Sequence, residues 1–131
     1  MPISYEFDRT TRRVSTIATG PVTVDDILGH LRAACQEQLL PYAELIDTRE
    51  ASPPFLSPMD IWHAADRVRT TEFDRRSVGP RAVIVKDLVI FGLVRMFVTL
   101  VSDFVPMNVF RDPTEAEIWL VGQSGRLPDA D

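Results

Sequence analysis

The residues best placed for chemistry are charged side chains that directly follow short apolar runs. Asp47, Thr48 and Arg49 follow Leu45-Ile46, Lys86 and Asp87 follow Val83-Ile84-Val85, and Arg111 and Asp112 follow Val109-Phe110. If those runs are parallel strands of one sheet, the charges meet at its carboxyl edge, where open α/β sheets bind ligands. Asp47, Arg49, Lys86 and Arg111 then form a candidate polar site whose cations take an anion or an acidic peptide, helped by helix N-termini. The competing reading makes each residue a helix cap or half of a surface ion pair, and it is the weightier one, because charges commonly follow strands.

Other reactive types are sparse. His30 and His63 each fall in a helical pattern, and neither has a second His or Cys at metal-ligand spacing such as i, i+4, so no metal and no cofactor is expected. His63 has Trp62 beside it and Asp66 one turn on, the parts of an oriented base, but no nucleophile motif accompanies them. Cys35 is the single cysteine; it reads as a small buried hydrophobe, excludes an internal disulfide and favours a reducing, cytoplasmic setting. With no glycine-rich phosphate loop, Gly-x-Ser-x-Gly elbow or Cys-x-x-Cys pair, a non-enzymatic protein is expected.

The elements that must position these residues follow from local chemistry. Ile3, Tyr5 and Phe7 alternate with polar residues, Asp8 to Thr11 supplies a turn, and Val14 to Thr19 is rich in β-branched residues, which predicts an opening hairpin. Thr23 and Asp26 form a capping box for a helix from about Val24 to Glu37, with Val24, Ile27, Leu28, Leu31 and Cys35 on one face. Ala43 to Asp47 reads as a strand, and Arg49 to Ser57, with Pro53 and Pro54, as a loop. Ser57 caps a second helix with Pro58 at its first position. Ala82 to Val85 is a continuous apolar run, as expected for a central strand covered on both faces. Leu88 to Phe104 is too long for a strand, and Gly92, Arg95, Thr99 and Ser102 trace a narrow stripe along it as a helix. Pro106 to Phe110 gives a last strand, and Asp112-Pro113 opens a final helix bearing Ala116, Trp119 and Leu120.

The order ββαβαβαβα predicts an α/β fold: a mixed, mostly parallel central sheet of about five strands with about four helices. This order resembles the STAS superfamily, the fold of bacterial anti-sigma-factor antagonists, and its SpoIIAA-like branch grouped with SEC14-like domains. The patterns that carry the resemblance are Leu45-Ile46-Asp47, Gly79 to Val85, Val89 to Phe97, and Val109 to Asp112 with Ala116 and Trp119. The resemblance implies a regulatory or protein-interaction module. It also makes Ser57 the candidate phosphosite, at the start of the second helix in Phe55-Leu56-Ser57-Pro58-Met59-Asp60; the residues themselves read Ser57 as a plain N-cap. Residues 1–121 are read as one domain and 122–131 as a flexible tail.

The helix from Leu88 is apolar on more than one face. Phe91, Val94, Met96, Phe97 and Leu100 form a candidate interface or ligand surface, used in a homodimer, by a protein partner or, as the SEC14-like resemblance implies, around a lipid or other apolar ligand. The competing reading covers this surface with the helix from Pro113. The net charge of −5 argues against nucleic acid. The N-terminus lacks the basic start and apolar run of a signal peptide, and Leu88 to Val101 is shorter than the ~20 apolar residues of a membrane span.

Overall fold

The computed structural model describes residues 2–52, 56–71, 78–103 and 105–123. Strands β1 (Ile3–Asp8) and β2 (Arg13–Pro21) form the antiparallel hairpin, and Asp8 closes its turn by accepting the N–H groups of Thr10 and Thr11. Then come α1 (Val24–Gln36), β3 (Ala43–Ser52), α2 (Pro58–Thr70), β4 (Arg81–Ile84), α3 (Leu88–Val101), β5 (Met107–Phe110) and α4 (Pro113–Gly122). The sheet order is β1-β2-β3-β4-β5, with every pair after the first parallel. Each parallel step is bridged by a helix, as crossover geometry demands.

Both capping boxes form. Thr23 and Asp26 exchange hydrogen bonds of 2.9 and 3.2 Å at α1, and Ser57 and Asp60 exchange bonds of 2.8 and 3.2 Å at α2. Asp87 caps α3 by accepting from Val89 and Ile90, and Asp112 caps α4 by accepting from Thr114. All four helices therefore begin where a side-chain oxygen takes up otherwise unpaired N–H groups.

The helices divide between the two faces of the sheet. Leu28 of α1, Ala65 and Val68 of α2 and Val101 of α3 pack as one cluster, while Ala116 and Leu120 of α4 pack with Ala43, Ala82 and Ile84. Alternation along the strands explains the split: Val83 and Val85 join Val94 and Val98 of α3, and the intervening Ile84 faces α4. Arg13 of β2 binds Glu117 of α4 at 2.7 Å, tying that helix to the hairpin.

Several boundaries differ from expectation. β3 runs on to Ser52 rather than ending at Asp47, because β2 passes an irregularity between Ile17 and Thr19 and then pairs Thr19, Gly20 and Pro21 with Glu50, Ala51 and Ser52. The first part of the loop expected from Arg49, Arg49 to Ser52, is thus strand, and Pro53, Pro54 and Phe55 lie outside the described residues. Helix α3 stops at Val101, and Phe104 is likewise outside. Helix α4 continues through Gly122, so the expected tail boundary falls within a helix; residues 124–131 are not described. Since α4 lies across the sheet from α3, it does not cover the apolar surface of α3 as the competing reading required.

Gly79 sits where the β4 entry crosses the chain before β3. A Cβ there would meet Pro41 O at 2.5 Å and Tyr42 C at 2.8 Å, both backbone atoms that cannot give way. Gly79→Ala is expected to lower the urea midpoint by the equivalent of about 1–3 kcal/mol. Gly29→Ala, in α1 with nothing within 4 Å, is expected to raise it by roughly 0.5–1 kcal/mol.

Candidate functional site

Between the sheet and the layer of α1, α2 and α3 lies a cavity of about 250 Å³. Its floor is Ala18 of β2, Ile46 of β3 and Val83 of β4; its walls are Ile27 of α1, Ile61 of α2, and Ile90, Val94 and Phe97 of α3. A small residue, Ala18, occupies the floor, and Val101 is the one residue of α3 that is fully buried. Exposed Ser52 and Val89, with half-buried Val22 and Leu56, mark the lip at the carboxyl ends of the strands. Along β3 the lining from Ile46 to Ser52 corresponds to roughly 20 Å at about 3.3 Å per residue, and across the sheet it reaches from Ile3 of β1 to Met107 of β5.

At the inner end lies a buried polar cluster. Glu44 of β3 pairs in register with Arg81 of β4, and both point to the cavity face beside Thr16 of β2. Glu44 Oε2 accepts from Thr16 Oγ1 at 2.5 Å and contacts His30 Nε2 of α1 at 2.6 Å, while Arg81 Nε lies 3.4 Å from Glu44 Oε1. Arg81 Nη1 also donates to the carbonyls of Tyr42 and Gly79 at 2.9 and 2.7 Å. Burial pushes the Glu44 carboxyl up, but the His30 hydrogen bond, the Arg81 charge and Thr16 outweigh it, leaving a pKa below the ordinary value. Burial lowers the Arg81 pKa, against which the Glu44 charge acts. Thr16 and His30 line the cavity, and His30 Nδ1 is buried with no partner among the described residues.

The structure places the sequence-derived candidates as follows. Asp47 and Arg49 bind each other at 2.7 Å on the α4 side of β3, away from the cavity, and that guanidinium holds the Asp47 carboxyl below its usual range. Arg111 reaches the Lys86 carbonyl at 3.3 Å, a contact separate from the Asp47–Arg49 pair. Ser57 is the exposed N-cap of α2, and its hydroxyl accepts from the Asp60 N–H. Val94 and Phe97 line the cavity, Phe91 packs with Val83 and Val85, Leu100 packs into the helix layer, and Met96 is half-buried. Exposed His63 meets Trp62 edge-on at 5.9 Å. Cys35 is half-buried, and burial pushes its thiol up.

Sequence reasoning did not assign roles to Glu44, Arg81 or Thr16. A signal was present: Glu44 sits inside an apolar run of a strand that the fold covers on both faces, so an ionised side chain there requires a buried cation and hydrogen-bond donors. Among the described residues no group of three His, Cys, Asp or Glu could hold a metal ion, and no helix is long and apolar enough to cross a membrane.

The mixed sheet with its crossovers defines an α/β domain with a SpoIIAA-like fold. It is similar over 90% of its length to 91% of an uncharacterised protein of the DUF3478 family from Shewanella loihica PV-4, itself of SpoIIAA-like fold, with a TM-score of 0.53 and 19% identity. No family model and no curated protein matches the sequence.

Because the folded-state pKa of Glu44 lies below its ordinary 4.5, its stabilising contribution is fully present above that value and is lost as pH falls through the depressed folded value. Glu44→Gln is expected to cost about 3–5 kcal/mol at pH 7 by leaving Arg81 buried without a counter-charge, and to flatten the fall of the urea midpoint below pH 4.5. Thr16→Val, which removes one donor to the carboxylate, is expected to cost about 1.5–3 kcal/mol.

Proposed function

We propose that this domain is a non-enzymatic binding module for a small apolar molecule held between the sheet and α3. The observation that supports this is the cavity of about 250 Å³, whose walls are almost wholly aliphatic or aromatic. An apolar cavity of about 150 Å³ admits benzene, so this one suits about ten non-hydrogen atoms. At ~0.8 kcal/mol per buried methylene, such a ligand gains about 8 kcal/mol before the costs of association, which points to binding of micromolar strength or weaker. The titratable group on the wall, His30, is engaged with Glu44, and the Glu44 oxygens are already met by Thr16, His30 and Arg81, which favours holding a molecule over transforming it.

A second reading is favoured by a separate observation. Leu88 and Val89, at the start of α3, are 67% and 66% exposed, and Val89 also lies on the lip. Such a pair suits a protein partner or a second copy of the chain docking over the cavity mouth, as in a regulatory module.

Light scattering and native mass spectrometry of one purified sample separate the two. A monomer retaining a small apolar adduct is the expected result. Ala18→Phe, which fills the floor, is expected to abolish the adduct without changing the circular dichroism spectrum. A dimer with an empty cavity, dissociated by Leu88→Glu, would instead establish the second reading.

A further inference from the structure

We infer that the cavity selects single-chain amphiphiles of about ten non-hydrogen atoms whose head group is neutral or cationic, and discriminates against the carboxylate of the same chain. This deepens the binding role proposed above and rests on it. The first ground is the wall itself: among the described lining residues there is no Lys and no Arg, and His30 is the one titratable side chain. The ionised Glu44 oxygen 2.6 Å from Nε2 requires a proton on that nitrogen. Arg81 and His30 Nε2 both face the Glu44 carboxylate, so the donors at the polar end of the cavity are turned to that carboxylate and not to an entering anion.

Hydrogen-bond polarity gives the second ground. The Thr16 hydroxyl donates to Glu44, and the Thr48 hydroxyl donates to the Ile84 carbonyl at 2.7 Å. With those protons committed, Thr16 and Thr48 present lone pairs to the cavity. Inside the lip, a carboxylate would therefore meet side-chain acceptors and lose its hydration without compensation. A hydroxyl or ammonium left at the lip stays wet, and one carried inward finds acceptors.

The third ground is the charge around the lip. The N-termini of α1, α2 and α3 lie at this end and each carries roughly half a positive charge. Against them stand Asp25 and Asp26 in the first turn of α1, Asp60 in that of α2 and Asp87 at the cap of α3. Lys86 and Arg111, which reaches the Lys86 carbonyl at 3.3 Å, are the cations at this edge; Asp112 adjoins Arg111, and Arg49 is bound to Asp47 on the opposite face of the sheet. The sum is negative, and it repels an anionic head group while attracting a cationic one.

Isothermal titration calorimetry of the full chain at pH 7 and low ionic strength, with monomeric octan-1-ol, octylamine and sodium octanoate, tests this. The expected result is a Kd at least tenfold lower for the alcohol and the amine than for octanoate. Octanoate binding as tightly as octan-1-ol would overturn the head-group selection while leaving the cavity a binding site; binding of none of the three would overturn both. Asp25→Asn removes a lip charge that neither caps α1 nor lines the cavity. It is expected to raise octanoate affinity relative to octan-1-ol about twofold, and an unchanged ratio would overturn the electrostatic ground. Ala18→Phe should abolish binding of the alcohol and the amine; where that variant fails to fold, Val94→Phe blocks the same space from α3.

Discussion

The ionised Glu44, buried in the middle of the sheet, is the constraint around which the domain is arranged. A carboxylate that is 4% exposed must find its partners inside the protein, and it takes them from three other elements: Thr16 from β2, Arg81 from β4 and His30 from α1. Replacing a buried ion pair with well-packed apolar residues is often neutral or stabilising, so its worth here is positional more than energetic. It sets the β2-β3-β4 register at the inner end and holds α1 over the sheet at His30. Tyr5 of β1 packs edge-on against that imidazole at 5.2 Å, which links the edge strand to the same point.

That placement fixes what the rest of the helix layer can do. With α1 held at the inner end and α2 packed against both α1 and α3 through Ala65 and Val68, α3 is supported mainly toward its C-terminus, where Val101 is fully buried. Toward its N-terminus α3 leans on Val83, Val85 and Val109 through Ile90, Val94 and Val98, with Leu88 and Val89 left outside. The space between these supports and Ala18 is the cavity. It opens at the carboxyl ends of the strands, as open α/β sheets favour, yet on the face opposite the Asp47–Arg49 pair.

Much of this was legible from residue types alone. The element order, the capping box at Thr23, the N-cap at Ser57, the Asp112-Pro113 helix start and the stripe of Gly92, Arg95, Thr99 and Ser102 follow from local chemistry and periodicity, and the structure carries all of them. The end of β3 was not legible, because Thr48 to Ser52 are held in a strand by partners on β2 rather than by their own propensities. The strand-end charges were placed at the correct edge, but a period of two sends Asp47 and Arg49 to the α4 side while Ile46 and Thr48 face the cavity. Parity along a strand can be read from sequence only when the burial of one position is known, and Glu44, the position that would have fixed it, was given no role although it sits inside an apolar run. A cavity is harder still, since it is the volume that side chains fail to fill.

That failure carries its own argument about function. Measured against a filled core, a hollow of about 250 Å³ costs on the order of 6 kcal/mol at about 24 cal/mol per Å³, with water at the lip reducing the sum. Domains of this size have about 5–15 kcal/mol of net stability, so the hollow is a large share of what is available. The remedy would be trivial in chemical terms: a larger residue at Ala18, or a longer one at Val94, would close much of the space. A sequence that caps all four of its helices with side-chain oxygens and satisfies a buried carboxylate from three elements is not loosely specified. Under such specification an open apolar space supports the binding role proposed above, in which the free energy lost to the void would be recovered by apolar atoms entering it.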